Sequence, residues 1–158
     1  MRRTSLAVLG FSLNTFAYAA TITVTTTSDQ IADTGTCSLR EAIIAANTNA
    51  PSGAVAGECP SGNSGAPDTV LLPAGTYALS RNGRDNTAIG GDLDLTQTIA
   101  LEGAGRDLTI IDAAAIGERV LHVLISPGAV TISKMTIRHG STTGSGGGIL
   151  LSDADSAS

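Results

Sequence analysis

The residues of this chain that could do chemistry are carboxylates. Asp92 and Asp94 stand in "GDLDLT" and Asp112 in "TIIDA", with Arg106, Arg119, Lys134 and Arg138 available as basic partners. Several carboxylates on one face, beside a basic group or a bound calcium, are what the cleavage of a polysaccharide calls for. Two residues apart on a strand point the same way, so Asp92 and Asp94 would share a face and could hold a cation. The same spacing suits a solvated strand face with Leu93 and Leu95 turned inward, and that structural reading takes precedence. Asp92, Asp94 and Asp112 therefore stand as candidates only. No metal ligand set and no cofactor is expected, calcium being the one ion the acidic pair could accept.

Other chemistry is poorly supported. His122, between Leu121 and Val123, reads as the outward position of a strand, and His139-Gly140 is a dipeptide without accompanying paired aspartates. "LEGAGRD" lacks the third glycine, the following helix and the lysine of a phosphate-binding loop, and "GSGGG" fails in the same way. Both suit tight corners where backbone approaches backbone. Neither a serine nucleophile elbow nor an H-E-x-x-H zinc pattern is present.

Composition narrows the partners. Arg2 and Arg3 precede an apolar run from Leu6 to Phe16, and Ala17-Tyr18-Ala19 offers small residues for cleavage, so residues 1–19 read as a secretory signal peptide. The run is too short for a bilayer span, which takes about 20 residues. Of nine basic residues, losing Arg2 and Arg3 leaves seven against fourteen acidic, a formal charge of −7. That argues against nucleic acid and against anionic lipid. The leader also carries off Phe11, Phe16 and Tyr18, leaving Tyr77 as the one aromatic residue, too few for a stacking platform. Cys37 and Cys59 are an even pair in an exported chain and read as a disulfide.

The elements that must position these groups are short. "TITVTTT" alternates as a strand. "CSLREAIIAANT" is an amphipathic helix, with Ser38 and Glu41 in the S-x-x-E relation of a capping box and Leu39, Ala42, Ile43 and Ala46 on one stripe. Arg40 reads as a structural ion-pair residue rather than a recognition group. Residues 50–67 are a Gly/Pro-rich loop fastened by Cys59. From Asp68 onward, short β-rich runs end at glycine or turn residues, with a long polar excursion in "RNGRDNTAIGGD". A flat sheet of such runs would need a covering layer, and a single helix cannot supply it. The expected fold is therefore mainly β: a right-handed parallel β-helix, or solenoid, with an N-terminal capping α-helix. The expected organisation is a signal peptide over 1–19, an N-terminal cap of strand, helix and disulfide-closed loop over 20–67, and β-helix coils over 68–158. The coils are expected to be truncated at the C-terminus, because "ILLSDADSAS" stops about where another would begin.

"CSLREAI" at 37–43 resembles the signature of the CSLREA domain of secreted bacterial parallel β-helix proteins. "TITVTTTSD", "DTVLLPAGTYAL", "GDLDLT", "LEGAGRDLTIIDA" and "TISKMTIRHG" are similar to the surrounding family text. The resemblance runs from Thr21 to Leu151. It implies an exported β-helix start, in the periplasm, at the cell surface or outside the cell, and carries no established biochemical activity. The function expected is thus a non-enzymatic surface scaffold or adhesin-like module, with an unknown surface glycan or protein as partner. It would lack a membrane span once the leader is removed, and could self-associate through an open C-terminal coil. The alternative is a polysaccharide-active lyase or glycoside hydrolase working through Asp92, Asp94 or Asp112.

Overall fold

A computed structural model describes residues 18–124 and 128–152. The leader assigned to residues 1–19 falls, up to residue 17, outside the described residues. Ten strands and one helix follow in order: β1 (Thr21–Thr23), α1 (Leu39–Thr48), β2 (Asp68–Leu72), β3 (Gly75–Ala78), β4 (Leu93–Leu95), β5 (Ile99–Gly103), β6 (Thr109–Asp112), β7 (Leu121–Val123), β8 (Val130–Ser133), β9 (Thr136–Arg138) and β10 (Ile149–Leu151). In β2 and β5 buried and half-buried residues alternate, the two-residue period of a strand with one face on the core. In β4 and β7 all three residues are buried, as happens where both faces of a parallel sheet are covered.

The strands make three small sheets, in the orders β1-β2-β5-β8, β10-β7-β4 and β3-β6-β9, and every pairing is parallel. From β2 onward successive strands enter different sheets, so each pairs with the strand three places later. This corrects the expectation of a right-handed β-helix solenoid with a capping helix. The mainly β class holds, but the strands, three to five residues each, lie in three separate sheets of four, three and three strands. Register partners Asp68 and Ile99, Gly75 and Thr109, and Leu93 and Leu121 stand at unequal sequence separations, so no uniform repeat winds through the chain. Strands this short are held by the few side chains each can bury, and the irregular segment 79–92 separates them as much as it links them. The helix α1 packs against β1, β2 and β4, the strands at or next to the N-terminal edges of their sheets.

The helix start is local chemistry. Ser38 Oγ accepts from the Glu41 amide at 3.1 Å, and Glu41 Oε2 accepts from the Ser38 amide at 2.8 Å, which satisfies two otherwise unpaired helix-end donors. Asn49 ends the helix in the left-handed conformation at φ 55°. A disulfide joins Cys37 to Cys59 across 22 residues, with a Cα separation of 4.7 Å. Glu58 holds the loop it closes, accepting from the amides of Thr34 and Gly35 and from Ser52 Oγ. Among the described residues no helix is long and apolar enough to cross a membrane.

Candidate functional site

The core between α1 and the sheets is aliphatic, yet two charged groups reach deep into it. Arg40 is fully buried and Asp29 nearly so. Arg40 Nε donates to Asp29 Oδ1 at 2.6 Å and Nη2 to Asp29 Oδ2 at 3.2 Å. The remaining guanidinium donors reach the carbonyls of Ala88 at 2.8 Å, Gly91 at 2.9 Å and Asp92 at 3.3 Å. Burial alone would push the Asp29 carboxyl up. Hydrogen bonds from Arg40 and from the Ser80 and Arg81 amides outweigh it and hold the group below its ordinary value. Arg40 thus anchors the polar excursion 81–92 onto the helix.

That anchoring places Asp92 and Asp94. Asp94 is the central residue of β4, and β7 aligns His122 with it across the ladder, so the two side chains share a face. The face is not solvated: Asp92 is 3%, Asp94 0% and His122 5% exposed. The reading of Asp92 and Asp94 as a solvated face, and of His122 as an outward residue, therefore fails, because segment 81–92 folds back over β4. Ala88, held at a left-handed φ of 63°, donates its amide to Asp94 Oδ2 at 2.8 Å. One carboxylate oxygen of Asp92, one of Asp94 and a ring nitrogen of His122 all lie within 4.8 Å of one another.

Electrostatics follow from burial. Desolvation pushes the Asp94 carboxyl up to about 7, only partly opposed by the Ala88 amide. Asp92 is raised by burial against the pull of Arg119, whose Nε stands 3.6 Å from Asp92 Oδ2. Burial, followed by the charge of Arg119, lowers His122. His122 Nδ1 is 3.3 Å from Asp94 Oδ1, and His122 Nε2 meets Ser152 Oγ at 2.8 Å.

Asp112 stands apart from this cluster. It ends β6, in another sheet, with its side chain 13% exposed. The Ala114 amide, His139 Nδ1 at 3.0 Å and Arg138 Nε at 2.8 Å surround it and hold its carboxyl down to about 2. Of the basic candidates, Arg106 pairs with Asp107, both widely exposed, and Lys134 pairs with Glu102. A shallow depression of about 230 Å³ lies between residues 63–68 and 97–98, where the Asp68 carboxylate already accepts the amides of Ala20 and Asn63.

The structure thus brings together Asp92, Asp94 and His122, and leaves Asp112 elsewhere. Sequence reading missed His122 as the third member. The signal available was the shared triplet, a polar residue between two aliphatic ones, in Leu93-Asp94-Leu95 and Leu121-His122-Val123. Comparison with family models, with curated proteins and with solved structures gave no match.

Proposed function

We propose that this chain is an exported, non-enzymatic module that acts as a surface scaffold or adhesin-like element, in the manner implied by its resemblance to the CSLREA domain. The observation that carries the reading is that each candidate carboxylate is either buried or held by the chain's own groups. Asp92 and Asp94 are buried, and Asp112 is enclosed by Arg138, His139 and the Ala114 amide. A glycan-cleaving enzyme needs its acid and base within hydrogen-bond reach of a bound sugar. Tyr77, the aromatic residue that remains beyond the leader, is also buried and has no face to offer a sugar ring. The Cys37–Cys59 disulfide supports the exported setting, bacterial periplasm or cell surface, because such bonds persist in oxidising compartments.

Self-association belongs to the same proposal. Strands β8, β9 and β10 are the least covered, with Leu151 75% exposed, and sparsely covered strand edges invite pairing with another copy. Incubation of the purified chain with neutral and acidic polysaccharides, followed by reducing-end and unsaturated-product assays, is expected to show no cleavage. Turnover that disappears in Asp112→Asn would overturn the scaffold reading in favour of a polysaccharide-active enzyme. Sedimentation velocity across a concentration series is expected to show association that Leu151→Lys reduces.

A further inference from the structure

The Asp92, Asp94 and His122 cluster carries a second, independent peculiarity. Asp94 is fully buried, yet its Oδ1 has no hydrogen-bond partner among the described residues. A buried carboxylate oxygen left unpaired is costly, and native proteins seldom leave one so. The oxygen is directed at the cluster: His122 Nδ1 is 3.3 Å away but misses hydrogen-bond geometry. In the tautomer that carries its proton on Nε2, His122 donates to Ser152 Oγ, and Nδ1 presents its lone pair on the side of Asp94. Two electron-rich atoms then face each other inside the protein, an arrangement that a cation between them would stabilise.

We propose that Asp92, Asp94 and His122 bind one divalent first-row transition ion, zinc being the best match, and that the ion ties the segment ahead of β4 to β7. The donor set decides the ion class: calcium takes six to eight oxygens, whereas an imidazole with two carboxylates suits zinc with water in the fourth position. Geometry agrees. Metal–ligand bonds of about 2.0–2.1 Å at a tetrahedral angle put two donor atoms about 3.3 Å apart, the separation found between Asp94 Oδ1 and His122 Nδ1. The whole set spans up to 4.8 Å, so Asp92 closes in by a small side-chain movement. Arg119 touches Asp92 only loosely at 3.6 Å, and its Nε makes no hydrogen bond among the described residues, so that carboxylate keeps lone pairs free. The Ser152 contact supplies the outer hydrogen bond that orients a metal-binding histidine. The site stands independently of the scaffold role, since its evidence lies in the cluster alone.

The test is direct. The purified untagged chain is stripped with EDTA, equilibrated with zinc chloride and dialysed, and its metal content, thermal midpoint and cobalt-substituted visible spectrum are measured. Expected are one zinc per chain, a rise in midpoint with zinc, and the absorption of tetrahedral cobalt. Asp94→Asn, which keeps shape while removing the buried charge, and His122→Gln should each weaken binding by at least about tenfold and abolish the midpoint shift. His139→Gln, at the separate pair with Asp112, should change neither. Absence of stoichiometric zinc in the unaltered chain would overturn the proposal. So would binding that survives both Asp94→Asn and His122→Gln, or that is lost in His139→Gln.

Discussion

Arg40 directs its five N–H donors to partners within the protein, two to Asp29 and three to carbonyls of segment 88–92. Removing it leaves the Asp29 charge buried without its partner, a change that costs about 3–5 kcal/mol. Arg40→Met is therefore expected to lower the urea unfolding midpoint severely. Arg40→Lys should rescue little, because an ammonium cannot span the fork that meets Asp29 and the carbonyls together. Asp112 makes a pH prediction. Its carboxyl is held to about 2 in the folded protein, first by the Ala114 amide and then by His139 and Arg138. The stability it contributes is present above its unfolded value of about 3.9 and is lost as pH falls through 2. The difference in thermal midpoint between the native chain and Asp112→Asn should accordingly be smaller at about pH 2 than at about pH 4.5.

At the scale of single elements, close backbone approach governs the sheets. Gly103 ends β5 where β8 runs out, and a Cβ there would run into the Lys134 carbonyl oxygen and crowd Thr109. Gly103→Ala should cost about 1–3 kcal/mol by forcing two strands apart, measurable by denaturant titration. Elements of this kind were unequally readable in the sequence. The Ser38 and Glu41 spacing encodes a structure that closes within one helical turn, and runs such as "DTVLL" carry their two-residue period on their face. The arrangement of strands into three small sheets depends on pairings such as Val70 with Leu101, which no local pattern encodes. That is where the solenoid expectation went astray. The candidate site failed for the same reason: Asp94 looks solvated until segment 81–92 is known to fold over it, and its alignment with His122 is a long-range register.

Across the whole molecule, the covalent link at Cys37–Cys59 matters because α1 joins the early strands to β4. Closing a loop of this length is worth about 3 kcal/mol by chain entropy. The double variant Cys37→Ser with Cys59→Ser should lose about that much in equilibrium unfolding and lose first the amide-exchange protection of residues 50–67.

Because each strand lies beside the one three positions on, neighbours in the chain are seldom neighbours in a ladder. A single scission beside the exposed residues Asn82 to Arg84 would therefore free nothing. The leading piece, with α1, β2 and β3, would stay woven to the trailing piece through β5, β6 and the grip of Arg40 on Gly91 and Asp92. A molecule built in this way can be cut by a protease and still keep its shape.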